Sequence, residues 1–333
     1  MAVKLRVGIV GCGGIARAHL AGYRNTEDVE VVSVCDVAEP AAQALAAESG
    51  ARAAGSIAEM IRLDKPDAVS ICSPPGAHLA NSAPFLEARI PVLCEKPLEL
   101  NARTAARLAA AVQRSRTLFM TAFCHRFHPA IVELKKLIDA GTLGKPVLFR
   151  NIFGGYIDMK GNHRARPEVS GGGVIIDNGS HSVDLFRFLV GEPTSVQAMA
   201  GQAAQKLPIE DFGMITLERN GKAFGEILSS YSLKVCGNWV EWYGTRGTAM
   251  VSYWNEGQPD LAWKAEGGPG WTAVDCAALP DRFTAEVRHF VDCIRAGRRK
   301  PAVSADDGYR AAAIIQAAYQ SAAKGRRIAI RYT

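Results

Sequence analysis

The first 125 residues repeat one pattern: a short aliphatic, β-branched run followed by an Ala-rich stretch of helical character, renewed every few tens of residues. Strands are expected at Lys4–Val10, Val29–Asp36, Asp67–Cys72, Pro91–Glu95 and Leu118–Phe123. Helices are expected at about Gly14–Asn25, Glu39–Ser49, Ala77–Ala88 and Ala102–Arg114. Strands alternating with helices at this interval form βαβ units, which need parallel pairing and right-handed crossovers. This leaves an α/β fold with a doubly wound parallel sheet, a Rossmann-type domain, over residues 1–125.

The pattern changes after that point. Strand-like segments follow one another with few helices between them: Val147–Phe153, Ser195–Ala200, Phe212–Leu217, Ala223–Tyr231, Trp239–Gly244 and Thr248–Tyr253. Asn220-Gly221 between two of them signals a hairpin turn. Helices are expected at Gly173–Leu189, Asp281–Ala296 and Ser304–Ala323. Strands with segregated helices read as an α+β domain with an open, largely antiparallel sheet, here residues 126–333. A chain of 333 residues is long enough for two such cores.

Composition narrows the class further. Apolar residues make up 48% and charged residues 22%, so disorder is excluded. No apolar run reaches the length of a membrane span, and the N-terminus lacks a signal-peptide pattern, so a cytoplasmic protein without a membrane partner is expected. The eight cysteines show no Cys-x-x-Cys spacing and read as reduced core residues, with no metal site expected. The +6 charge comes wholly from residues 281–333, which hold 11 basic and 5 acidic side chains. Without interleaved aromatics it argues against nucleic-acid binding and for a solvated end of the chain.

Gly11-Cys12-Gly13-Gly14-Ile15-Ala16 fits G-x-G-x-x-[GA] between the first strand and first helix. Gly11 permits a tight turn, Gly13 lets the backbone approach a pyrophosphate, and Ala16 allows close helix–strand packing. Asp36, 20 residues after Ala16, stands where a carboxylate accepts ribose hydroxyls. No Lys or Arg follows it directly, which favours NAD over NADP. Ser73-Pro74-Pro75 and His78 follow the strand ending at Cys72 and are candidate walls of the cofactor crevice.

Two segments hold candidate chemistry. Glu95-Lys96-Pro97 ends a strand at the sheet edge where ligands of such folds bind, so Glu95 and Lys96 are candidate cofactor contacts, and Lys96 offers an ammonium to an oxygen. Gly171-Gly172-Gly173 precedes a helix on which Asp177 and His181 stand at i, i+4, with Asp184 beyond. A neutral imidazole accepts a hydroxyl proton near neutral pH, and a neighbouring carboxylate orients it. Asn162, His163, Arg164, Asn178 and Arg126 are candidate contacts to a hydroxylated substrate. Trp239 and Trp242 are expected in sheet packing.

Together with His125-Arg126-Phe127-His128-Pro129, these motifs resemble the Gfo/Idh/MocA oxidoreductases over essentially the whole chain. The resemblance implies NAD(P)-dependent oxidation of a secondary hydroxyl on a sugar, polyol or cyclitol, by a homo-oligomer. It also implies that Lys96, Asp177 and His181 are the catalytic residues, with His181 as base and Lys96 stabilising the alkoxide. Lys96 as base is the alternative division. Two other functions remain open at this point: a glycosidase using NAD without net redox change, and a dinucleotide-binding regulator without turnover.

Overall fold

The computed structural model describes residues 4–253 and 257–332, with the backbone alone at His163. The chain forms two compact units. One runs to Cys124 and resumes over Asp281–Tyr309, and the other comprises His125–Pro280 and the chain from Arg310 onward.

The first unit is built on six parallel strands: β1 Leu5–Val10, β2 Val29–Cys35, β3 Arg52–Ala53, β4 Ala68–Ile71, β5 Val92–Glu95 and β6 Phe119–Ala122, in the order β3-β2-β1-β4-β5-β6. Continuous burial along β4, β5 and β6 is what a sheet covered by helices on both faces requires. The order reverses between β1 and β4, so the turns after these strands flank the switch point where such sheets bind ligands. β3 is a two-residue strand too short to leave a periodic signal.

The return of the chain corrects the expectation that everything after residue 125 belongs to the second domain. The helix Arg282–Arg295 packs against the helix Gly14–Arg24 and buries Val287, Phe290 and Val291. Asp281 caps it, accepting from the Phe283 and Thr284 amides. The basic excess there is also partly structural. Arg288 donates to the Asn25 carbonyl and Arg295 to that of Glu27, both at 2.6 Å, closing the turn after the helix Gly14–Arg24.

The second unit carries nine strands: β7 Pro146–Gly154, β8 Ser195–Gly201, β9 Phe212–Arg219, β10 Ala223–Ser230, β11 Asn238–Gly244, β12 Gly247–Tyr253, β13 Leu261–Ala265, β14 Thr272–Val274 and β15 Ile328–Ala329. Their order is β14-β13-β12-β11-β7-β10-β9-β8-β15. Every pairing is antiparallel except β7 with β10, which gives the open, mostly antiparallel sheet expected. Asn220 and Gly221 turn β9 into β10 with φ of 52° and 65°, the left-handed pair of a tight hairpin. The helix Val174–Leu189 lies on β7, β9 and β10, burying Val174, Ile175, Val183 and Phe186. Trp242 is fully buried against this layer and its indole N–H reaches the Leu189 carbonyl, so it packs as expected.

Candidate active site

The glycine turn of the first unit separates two kinds of constraint. Gly11 has φ +89°, and a Cβ there would lie 2.5 Å from the Ser73 amide nitrogen, so conformation and space both demand glycine. At Gly13 and Gly14 a Cβ would meet no protein atom within 4 Å. Nothing in the protein requires those glycines, and the helix N-terminus at Gly14 has no side-chain cap. Open space beside uncapped N–H groups fits a pyrophosphate. Ala16 is buried with Ile9, Leu20 and Val34, seating the helix close to the sheet, and Ile15 is half-buried beside them.

Asp36 faces this turn. One carboxylate oxygen accepts the Cys12 amide at 2.7 Å and the other the Ala38 amide at 2.8 Å. The carboxylate therefore tethers the end of β2 to the glycine turn, with lone pairs remaining for hydroxyl donors. Burial and then the Asp36 charge push the Cys12 thiol up to about 12, so this cysteine stays protonated.

Ser73 and Pro75 are partly exposed and Pro74 is exposed, so the turn after β4 leaves these candidates accessible. His78 is placed differently from expectation. Its ring is fully buried, with Nε2 2.8 Å from the Ser73 carbonyl and Nδ1 3.0 Å from that of Leu98. It braces the turn from beneath and does not line a crevice. Glu95 is likewise turned inward. It is 6% exposed, and its carboxylate is held by His19 Nε2 at 2.8 Å and the Lys96 amide at 3.1 Å. Lys96, half-buried, follows at the strand end, and the Lys96–Pro97 peptide is cis.

In the second unit, two of the three glycines preceding the helix Val174–Leu189, Gly172 and Gly173, are explained by close neighbours. A Cβ on Gly172 would lie 2.1 Å from the Tyr319 hydroxyl, and one on Gly173 would lie 2.0 Å from the Glu210 carbonyl oxygen. The Glu210 carboxylate accepts the Gly173 and Ile175 amides at 3.0 and 3.1 Å, and Tyr319 donates to it at 2.6 Å. A remote carboxylate thus caps the helix and complements its dipole.

That helix carries Asp177 and His181 one turn apart. Asp177 Oδ2 accepts the Tyr231 hydroxyl at 2.7 Å and lies 3.3 Å from Arg164 Nη1. Burial, then the Asp177 charge, drives the Tyr231 phenol far above its ordinary range, so it remains a donor. His181 is 6% exposed, with its ring 4.3 Å from that of His125 and 6.0 Å from that of Phe153. His125 in turn stacks near Phe153 and Tyr253 at 5.0 and 5.3 Å. These rings bury one side of the His181 imidazole.

The other candidates divide. Arg126 is buried in a bidentate pair with Asp184, at 2.7 and 2.6 Å, and its guanidinium covers the Phe188 ring, a structural pairing that the sequence reading did not anticipate. The buried Asp184 carboxylate takes the Nε/Nη2 edge of the guanidinium as a two-bond fork. Asn162 uses its side chain to accept the Arg164 amide at 3.0 Å, a local turn. Asn178 donates to the Phe153 carbonyl at 3.3 Å. Arg164, 46% exposed at its side chain, is the one of this group directed at Asp177. The side chain of His163 lies outside the described residues.

Tyr231 and Glu210 leave no local signal because they join the helix from 54 and 37 positions away, and Tyr319 reaches it through Glu210, 109 positions before it. His19 does carry a signal in the sequence. It sits in the buried stripe Ala16, His19, Leu20, Tyr23 of an amphipathic helix, where an imidazole needs partners.

Six parallel strands with this order, a glycine turn open to ligand and a carboxylate tethered to it define an NAD-binding oxidoreductase of the Rossmann type. The chain belongs to the Gfo/Idh/MocA oxidoreductase family: residues 5–123 match the family's NAD-binding Rossmann fold and residues 131–250 its C-terminal domain. It is 29% identical to an inositol 2-dehydrogenase of Rubrobacter xylanophilus, with 97% of this chain and 92% of that protein covered. It is 25% identical to a D-apiose dehydrogenase of Paraburkholderia graminis, over 98% of this chain and 90% of the relative. A levoglucosan dehydrogenase solved with NADH and L-sorbose shares the fold, with a TM-score of 0.91 at 22% identity and 100% of both chains covered.

Proposed function

We propose that the protein is an NAD-dependent dehydrogenase of a secondary hydroxyl on a sugar, polyol or cyclitol, with Lys96, Asp177 and His181 as its catalytic residues. The observation that carries this reading is the pairing on one helix of a buried imidazole, His181, with a carboxylate fixed by the Tyr231 hydroxyl. His181 takes the hydroxyl proton while the same carbon gives up its hydride, turning alcohol into ketone. Lys96 holds the developing negative charge on the oxygen, and Asp177, braced by Tyr231 and Arg164, orients substrate hydroxyls. When bound, NAD supplies the hydride acceptor at nicotinamide C4.

NAD is preferred over NADP because Asp36 places a carboxylate beside the glycine turn and exposed Val37 and Ala38 follow it without a cation. A homo-oligomer is supported by the sheet face opposite the helix Val174–Leu189. Leu148, Ile152, Phe224, Leu228 and Tyr243 share it, with Arg150 held between Glu226 and Glu241. Phe224 is 49% exposed there, an apolar surface of the kind that subunits cover. A cytoplasmic location is supported by eight free cysteines.

The deciding experiment incubates the protein and NAD with myo-inositol, D-apiose, D-glucose and levoglucosan and follows the reduced-nicotinamide absorbance. Stoichiometric NADH with one or more is expected. Glycoside cleavage without net NADH, or NAD binding with no turnover of any sugar or cyclitol, would overturn the dehydrogenase assignment.

A further inference from the structure

We propose that His19, acting through Glu95, is a positioning residue for Lys96. The inference rests on the reading of Lys96 as a catalytic residue, but its geometry lies wholly within the first unit.

His19 stands on the helix Gly14–Arg24 with no exposed surface. Its Nε2 is 2.8 Å from Glu95 Oε1 and its Nδ1 is 3.0 Å from Ser70 Oγ, which also meets the Tyr23 hydroxyl at 2.8 Å. The other Glu95 oxygen accepts the Lys96 amide. Glu95 ends β5 and Ser70 lies in β4, so one helix side chain joins the ends of two adjacent strands directly under the lysine. A buried carboxylate in this position needs a compensating charge, and His19 is the partner it touches.

The charged groups around the ring favour its cationic form. Burial pulls the imidazole down, and the Glu95 carboxylate hydrogen-bonded to it pushes it up. Cys72 is held protonated by burial, so the lasting negative charge is that of Glu95. Tyr23 on the same helix is a raised, neutral phenol, and Glu286 of the helix Arg282–Arg295 faces Tyr23. With both ring nitrogens donating, His19 neutralises Glu95 and fixes the carboxylate that holds the Lys96 backbone. The lysine then meets an oxyanion without a second, competing negative charge beneath it.

The test labels Lys96 in the NAD-saturated protein with acetic anhydride as a function of pH and reads the product by mass spectrometry, so it requires no sugar. In H19Q the amide still donates to Glu95 but the positive charge is gone. The uncompensated carboxylate is expected to hold Lys96 as ammonium, slowing its labelling at pH ~8 about threefold or more. The double variant H19Q/E95Q, neutral again, is expected to regain the wild-type pH profile, a rescue that lost packing alone would not give. An unshifted profile in H19Q, or a double variant as slow as H19Q, overturns the proposal. Should H19Q fail to fold, nitrogen NMR of histidine-labelled wild type decides instead. An imidazolium at His19 at pH ~8 supports the proposal and a neutral ring overturns it. Turnover of K96M tests the catalytic reading separately: retained activity would remove the role of Lys96 without touching the labelling result.

Discussion

Two glycine-rich segments open two helices in this chain, and they are glycine-rich for opposite reasons. At Gly13 and Gly14 the protein leaves a Cβ nothing to strike, so the sequence is shaped by something that is not protein. At Gly172 and Gly173 the protein fills the space itself, with the Tyr319 hydroxyl and the Glu210 carbonyl within about 2 Å of where a Cβ would sit, at 2.1 and 2.0 Å. The first turn is a ligand cradle set by local sequence. The second is a docking point that lets a remote carboxylate cap the helix bearing Asp177 and His181. Identical residue types thus report binding in one unit and construction in the other, and only the neighbours tell them apart.

The largest effect expected from this division is chemical. His181→Ala removes the proposed base and leaves the glycine turn untouched, so kcat should fall about a thousandfold while NAD affinity stays within a factor of about two. Stopped-flow NADH formation and cofactor titration measure the two separately. Turnover within about tenfold of wild type would pass the base role to Lys96.

Next come the glycines themselves. Gly11→Ala forces a side chain onto a backbone at φ +89° and into the Ser73 amide, and should cost about 2–4 kcal/mol of stability. Gly13→Ala meets only open space, so its melting temperature should match wild type while NAD binding weakens tenfold or more. Equal loss of stability in both variants would break the distinction between cradle and construction. In the second unit, Glu210→Ala removes the helix cap and orphans the Gly173 and Ile175 amides. A loss of about 1–3 kcal/mol by denaturant titration is expected, with NAD affinity unchanged.

How much of this was legible follows the same line. The Rossmann strands, the glycine turn and Asp36 could be read because their partners lie within one βαβ unit, and the helix boundaries fell within a residue or so of expectation. Lys96, Asp177 and His181 could be singled out by spacing and resemblance. What their neighbours do could not. Arg126 looked like a substrate ligand until Asp184, 58 residues on, claimed it. His78 and Glu95 looked like cofactor contacts because they flank the right turns, but burial turns their side chains inward. The helix Arg282–Arg295 showed its own amphipathic pattern, yet nothing local says that it returns to the first unit. Side chains whose partners come from distant strands are invisible to periodicity.

The smallest predicted effect is a pH dependence specific to that second unit. Asp211, next to the capping Glu210, is buried and accepts the Ser232 hydroxyl and the amides of Ala203, Ala204 and Gln205. Burial raises its carboxyl, but these donors more than offset that and hold it below the ordinary aspartate range. A carboxyl depressed in the folded state stabilises at all pH values above its unfolded value, about 3.9, and loses that contribution as pH falls through the folded value. The Tyr231 amide donates to the Asp211 carbonyl, so this loop also seats the tyrosine that holds Asp177. Lowering the pH below ~4 should therefore depress the melting temperature more in wild type than in Asp211→Asn, which has no carboxyl to protonate. Asp211→Asn should itself cost about 1 kcal/mol at neutral pH, because its amide replaces one acceptor oxygen. Parallel acid limbs in the two proteins would show that the Asp211 carboxylate does not contribute to this pH dependence.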